Sequence, residues 1–309
     1  MSISDFSLKL YRKTVKRFYP AHVATHWLMN HLIIPVLELI KQFKTIAEDP
    51  FWFRLELLTN RHETETIAIL DRLIMPEMTV LDIGAHVGYY TRRYAPRVGQ
   101  NGRILSFEPH PRTFAVLQHN VARFANVTLQ QVALAEHPGT AELHDYLIMS
   151  ASGSLQFDEG MRNLLKSQLS KSDIAPRISD DFPDKTFTVA TKPVDDCLEA
   201  MGITQVDVVK MDIEGAEIGA LRGMRRTIAR SDKLALVMEY NPQALEGFGH
   251  NPVQALEEVV ELGFRKIQMI EAAGALTDLT TNRAALQKIT EKLKENMGVV
   301  NLLLTKSED

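Results

Sequence analysis

The sequence predicts an α/β fold: a mostly parallel sheet with helices on both faces, preceded by a helical extension. Three observations predict it. From Thr79 onward, short apolar β-branched runs alternate with helical patterns, the mark of parallel strands joined by crossover helices. Residues 1–75 show helical spacing without that alternation. The 309-residue length suits one large domain plus an extension, divided at about residue 75.

In the extension, Leu8, Tyr11, Val15 and Phe18 follow helical spacing, with Lys9, Arg12, Lys13, Lys16 and Arg17 on the other side. That pattern fits a helix docked on the main domain or on another subunit, as in a homo-oligomer. It also fits a helix lying on a membrane surface. The run Leu28–Ile40 is interrupted by Asn30, His31, Pro35 and Glu38, and a spanning helix needs about 20 apolar residues. A further helix over Thr64–Leu73 leads into the main domain.

Thr79–Ile83 reads as a buried strand and Tyr89–Val98 as the following helix. Arg103–Phe107 is the next strand, and Pro111–Phe124 a helix with proline in its first turn. Val127–Val132 and Thr140–Leu147 follow, the latter as an edge strand or hairpin arm. Val194–Met201 reads as a short helix whose apolar neighbours make Cys197 a small core residue. Val206–Met211, Leu234–Tyr240, Arg265–Ile270 and Val299–Leu304 are strands, with helices at Ala216–Ala229 and Pro252–Leu262. The polar stretch from about residue 150 to 185, with a helix at Met161–Leu169, breaks the rhythm and reads as a lid.

The net charge of −4 gives no bias toward nucleic acid. One cysteine rules out an internal disulfide and a cysteine-based zinc site. No signal-peptide pattern opens the chain. A cytoplasmic protein is the expectation.

Ligands of open α/β sheets bind at the carboxyl ends of the strands. Asp82, Gly84, Ala85, His86 and Gly88 sit at the end of the first strand, Glu108 and Pro109 follow the second, and Ala133 the third. Asp212 and Glu214 end the fourth, and Glu239 lies near the end of the fifth. A nicotinamide cofactor needs a glycine where Asp82 stands, because a carboxylate repels its pyrophosphate. S-adenosylmethionine carries an ammonium, a sulfonium and no phosphate. Its ribose hydroxyls suit an acid at the end of the second strand, where Glu108 stands. These residues, with Asp212, form the candidate cofactor set.

The pieces "VLDIGAHVGYYT", "ILSFEPHPRTFAVLQHNV", "VALAEHPGTAELH", "SGSLQ" and "VDVVKMDIEGAEIGALRGM" occur in order. On them, the chain from about Met78 to Leu304 resembles the FkbM family of S-adenosylmethionine-dependent methyltransferases. The resemblance implies a Rossmann-like class I methyltransferase fold, a seven-stranded sheet with an antiparallel last strand. It implies cofactor contacts at Asp82, Gly84, Gly88 and Glu108. It points to oxygen acceptors on sugars or natural products: a small-molecule or glycan partner.

Methyl transfer is an in-line displacement, and a hydroxyl acceptor needs a base or a metal. "KMDIEGAE" supplies the catalytic candidates Lys210, Asp212 and Glu214, joined by Glu239. Glu217 suits the first turn of a helix. Asp212, Glu239 and Asn241 offer an all-oxygen set for magnesium. His86 and His110 are alternative bases, and Ser152 and Ser154 sit in a Gly/Ser turn. The rival to an enzyme is a non-catalytic module that keeps the cofactor fold; a nicotinamide reductase is more distant.

Overall fold

The computed structural model describes residues 19–145, 150, 153–155 and 185–306. The basic segment before residue 19, Ser152 and the Met161–Leu169 helix lie outside the described residues.

The first described elements are α1 (Tyr19–Leu28), a π-helical turn over Met29–Ile33, and α2 (Ile34–Lys41), followed by α3 (Phe51–Leu58) and α4 (Thr64–Leu73). The main sheet is built from β1 (Thr79–Ile83), β2 (Arg103–Phe107), β3 (Val127–Gln130), β7 (Val208–Met211), β8 (Ala235–Tyr240), β9 (Lys266–Ile270), β10 (Leu276–Asp278) and β11 (Val300–Thr305). Its order is β10-β9-β11-β8-β7-β1-β2-β3. The five strands β3, β2, β1, β7 and β8 run parallel, and β11 enters antiparallel between β8 and β9. This is the Rossmann-like class I methyltransferase arrangement. The sheet has eight strands rather than the expected seven, because the short β10 adds antiparallel to β9.

The remaining strands, β4 (Ala133–Leu134), β5 (Gly139–Asp145) and β6 (Lys185–Lys192), form a separate three-stranded sheet. The third strand, expected over Val127–Val132, ends at Gln130, and Gln131 and Val132 lead across to β4 in the second sheet. The expected hairpin arm is β5, paired antiparallel to β6.

Between and after the strands lie α5 (Tyr89–Val98), α6 (Pro111–Val121), α7 (Val194–Ala200), α8 (Glu217–Arg222), α9 (Arg225–Arg230), α10 (Pro242–Gly247), α11 (Pro252–Glu261) and α12 (Arg283–Asn296). The single helix expected over Ala216–Ala229 is two, α8 and α9, broken at Gly223 and Met224.

Both sheet faces are apolar, so the strands read as continuous apolar runs. Leu81, Leu105, Val209, Leu236 and Leu302 face one core with Cys197 and the helices after β6. Val80, Ile104, Val208, Val237 and Leu303 face the other. The second core is completed by Ile34, Phe53, Leu57, Ile67 and Leu70 from the N-terminal helices. The extension is therefore the cover of one sheet face, which is why its helices carry an apolar side.

Register aligns the strand ends. Ile83 lies opposite Phe107 and Met211, and Met211 opposite Met238. The residues that follow, Gly84, Glu108, Asp212 and Glu239, are thus brought to one edge.

Candidate active site

A cleft opens at that edge. Gly84, Ala85, His86, Glu108, Pro109, Ala133, Lys210, Asp212 and Glu214 line it. Asp82, Gly88 and Glu239 do not, and each has a different reason.

Asp82 is buried beneath the glycine loop. Its Oδ2 accepts a 2.6 Å hydrogen bond from Thr91 Oγ1 in α5, while Oδ1 has no partner among the described residues. Burial raises its pKa, against the pull of the Lys210 ammonium. The Thr91 bond ties β1 to α5. Gly88 has φ +86°, and a Cβ there would lie 2.7 Å from Leu117 Cδ1. Its lack of a side chain lets the start of α5 pack on α6.

Gly84 serves the edge itself. Its φ is +79°, and a Cβ would stand 1.8 Å from the Asp212 carbonyl oxygen. The Asp212 N–H donates to the Ile83 carbonyl at 3.0 Å, so the two strand ends are clamped together. Gly84→Ala is expected to cost on the order of 2–5 kcal/mol from left-handed backbone strain plus overpacking. Urea unfolding measures it, and an unchanged midpoint contradicts the clamp.

Glu108 is 7% exposed. Its Oε2 accepts the His86 N–H and its Oε1 the His110 N–H, both at 2.9 Å. Burial pushes its carboxyl up to about 7, although those two bonds pull the other way. A carboxylate has about four lone-pair sites, so two acceptor positions remain for hydroxyl groups.

The two histidines differ. His110 Nδ1 accepts from the backbone N–H groups of Arg112 and Thr113, capping α6, so Nε2 carries the proton and donates to Asp145 at 2.9 Å. Both nitrogens are committed, and the base role entertained for His110 is closed. His86 sits in the left-handed region at φ 51°. Burial drives its pKa down to about 3, so the ring is neutral. Its Nε2 lies 2.6 Å from Ser150 Oγ, which donates to Asp49 Oδ2 at 2.6 Å. The chain Asp49–Ser150–His86 links the N-terminal cover to the glycine loop.

At the fourth strand, Lys210 Nζ donates to Asp212 Oδ2 at 2.9 Å and stands 4.9 Å from the Tyr90 ring centre. Burial opposes its charge, but Asp212, Glu63 and Asp82 outweigh that and hold its pKa above the ordinary lysine value. Glu214 adopts φ 53°, and its carbonyl accepts from Ser154 Oγ at 3.2 Å. Glu217 supports this loop: its Oε1 accepts the N–H groups of Ile213 and Gly215 at 3.1 and 3.3 Å. The first-turn acid is a loop clasp.

Glu239 Oε2 is buried without a hydrogen-bond partner among the described residues. Burial first, then the charges of Asp212, Glu214 and Glu217, push its pKa well above the ordinary value. One carboxylate oxygen from each of Asp212, Glu214 and Glu239 lies within 4.8 Å of the others. Asn241, expected in that set, is engaged elsewhere: its Oδ1 caps α10 by accepting from Ala244 N–H at 3.1 Å.

Burial also moves Glu217 up to about 7 from 4.5. A carboxyl whose native pKa is raised binds more protons folded than unfolded, so its ionisation destabilises the fold. Between pH 4.5 and 7 this contribution is lost as pH rises. His86 and His62, lowered by burial, act with the opposite sign. The test is therefore a difference: thermal melts against pH for the parent and Glu217→Gln. The parent is expected to lose more stability than the variant as pH rises through this window, and parallel curves contradict it.

Sequence reasoning missed the wall supplied by the N-terminal helices. Phe53, Leu57 and His62 line the cleft. Tyr90 Oη donates to Glu63 Oε2 at 2.6 Å. The polar Arg61-His62-Glu63 step between two apolar helices was the available signal.

The chain matches the methyltransferase FkbM domain over residues 82–266, more than half its length. It belongs to the FkbM methyltransferase family. It is a SAM-dependent methyltransferase. A 2-O-methyltransferase, NoeI of Sinorhizobium fredii, is 25% identical over 198 residues, covering 62% of this chain and 74% of the relative. Methyltransferase 1 of Beauveria bassiana is 30% identical over 148 residues, with 47% and 57% covered. The hexuronic acid methyltransferase AglP of Haloferax volcanii is 25% identical over 169 residues, with 54% and 59% covered. The chain thus spans between half and two thirds of the length of the last two relatives. A SAM-dependent O-methyltransferase structure from Thermotoga maritima aligns at TM-score 0.40 and 12% identity, covering 80% of this chain and 66% of that one. The FkbM match begins at Asp82, so the helices that wall the cleft lie outside it.

Proposed function

We propose that this FkbM protein transfers a methyl group from SAM to a hydroxyl of a small molecule or glycan. The observation that carries the reading is the edge of aligned strand ends, where Glu108, Asp212 and Glu214 converge on one cleft. The donor set fits the cofactor: carboxylates for ribose hydroxyls and an ammonium, and no phosphate cradle. Glu108 would hold the ribose, with the Gly84–His86 loop beside it. The cofactor supplies an activated methyl.

The chain's own residues do the rest. Phe53, Leu57 and Leu155 give the cleft an apolar wall beside the acidic edge. Lys210 fixes the Asp212 carboxylate through the 2.9 Å bond. Asp212 accepts the proton of the acceptor hydroxyl as it attacks, and Glu214, presented by the Glu217 clasp, orients that hydroxyl. Glu239 adjoins this pair from β8. A sugar acceptor is supported by the names of two relatives, a 2-O-methyltransferase and a hexuronic acid methyltransferase. Turnover with uronic acids and other sugars, read by mass spectrometry, tests this. Methylation on nitrogen or carbon alone contradicts it.

A second reading has its own observation. The Asp212, Glu214 and Glu239 oxygens within 4.8 Å, with Glu239 Oε2 unpartnered, form a hard-oxygen set suited to magnesium. A bound cation would draw the proton from Glu239 and polarise the acceptor oxygen. On this reading, chelation with EDTA abolishes turnover and magnesium restores it. Turnover indifferent to EDTA contradicts it and leaves Asp212 as the unaided base.

A further inference from the structure

We propose that the N-terminal helical face docks the protein on an anionic lipid bilayer, lying in the plane of the surface. The helix Val23–Lys41 is continuous over 19 residues and apolar enough, by length and composition, to cross a membrane. It is longer than the interrupted run Leu28–Ile40 suggested.

Two faces of this helix differ. Leu28, Leu32, Val36, Leu39 and Ile40 recur at three- and four-residue spacing and are exposed, Leu39 at 78% and Ile40 at 68%. The other side is committed to the protein. Ile34 is fully buried, and Asn30 and Glu38 both accept from the Arg54 guanidinium, at 3.1 and 3.3 Å. A helix held along one side by its own domain cannot span alone. It can present its other side to a surface.

Charge names the surface. Lys41, Arg92 and Arg123 meet at the helix's C-terminal end and line one hollow there. Arg92 donates to the Lys41 carbonyl, and Arg123 Nη1 donates to Gln42 Oε1 at 3.1 Å. Among the described residues none of the three is paired with a carboxylate, while neighbouring Arg93 is satisfied by Asp71. Cations beside an exposed apolar stripe match a layer with an apolar interior and anionic headgroups. The five cations of Lys9–Arg17 lie just ahead in the sequence. The chain's only two tryptophans, Trp27 and Trp52, are both exposed. Their neighbours His26 and Phe51 are in ring contact at 4.8 Å, so the tryptophans share this region. Tryptophan is the side chain that sits at headgroup level. Phe53 of the cleft wall directly follows Trp52, so the docked face and the cleft share α3.

The test uses the full chain with vesicles of phosphatidylcholine alone or mixed with phosphatidylglycerol. The parent is expected to co-sediment with the mixed vesicles and much less with the neutral ones, and salt is expected to weaken it. Leu32→Glu/Leu39→Glu and Lys41→Glu/Arg123→Glu are each expected to weaken binding about tenfold or more. Thermal melting close to that of the parent shows that these exposed substitutions leave the fold intact. A parent that stays in the supernatant with mixed vesicles overturns the proposal, as does binding that survives both double variants. A dimer in sedimentation velocity that Leu32→Glu/Leu39→Glu dissolves would give the face to a second copy and overturn it equally.

Discussion

Asp212→Asn is expected to lower turnover by about 10²–10⁴ while S-adenosylhomocysteine still binds within a few-fold of the parent. The substitution keeps the shape and removes the proton acceptor. The Lys210 bond at 2.9 Å then loses its charge-assisted half, so some disorder of the site contributes to the loss. The split between binding and turnover separates the two roles of this edge. If Asp212 served only the fold, turnover and melting temperature would fall together, and Lys210→Met would behave like a folding defect. Unchanged turnover in Asp212→Asn would remove Asp212 from the chemistry.

Glu108→Ala is expected to weaken S-adenosylhomocysteine binding on the order of 100-fold, the worth of two hydrogen bonds to a charged acceptor at about 1.5 kcal/mol each. A companion measurement needs no variant. The carboxyl of Glu108 is pushed up to about 7 by burial, so near neutrality it is partly protonated. Hydroxyl groups donating to it favour the ionised form. Binding therefore releases a fraction of a proton, and affinity rises as pH rises through 7. Calorimetry in two buffers of different ionisation enthalpy reads the released proton directly. Proton uptake, or binding independent of pH, would place the ribose elsewhere.

The sheet was legible because its strands are buried on both faces. Leu81, Ile83 and Met211 sit in apolar runs that no surface strand would carry. The carboxylates at the strand ends were legible for a related reason: a run that stops at an acid marks the point where the chain leaves the core. What could not be read was which acids turn outward. Asp82 and Glu108 have the same standing in sequence, yet Asp82 is covered by the loop and bonded to Thr91, while Glu108 reaches the cleft. That difference follows from register: Asp82 pairs with Ser106 inside the sheet, whereas Glu108 stands one residue past Phe107, at the sheet's edge.

The N-terminal wall was hidden for the same physical reason. Leu57 and His62 enter the cleft only because α3 packs on the face of the sheet that holds Tyr90. No local pattern encodes that choice of face. Asn241 shows the converse. It stands two residues beyond Glu239 and looked like a ligand, but the start of α10 needed a cap and took its side chain.

A crystal structure with S-adenosylhomocysteine bound tests the central claim most directly. The account predicts both ribose hydroxyls within hydrogen-bond distance of Glu108 and the sulfur directed toward Asp212 and Glu214. A ligand seated away from Glu108, or with its sulfur turned from Asp212, would contradict it.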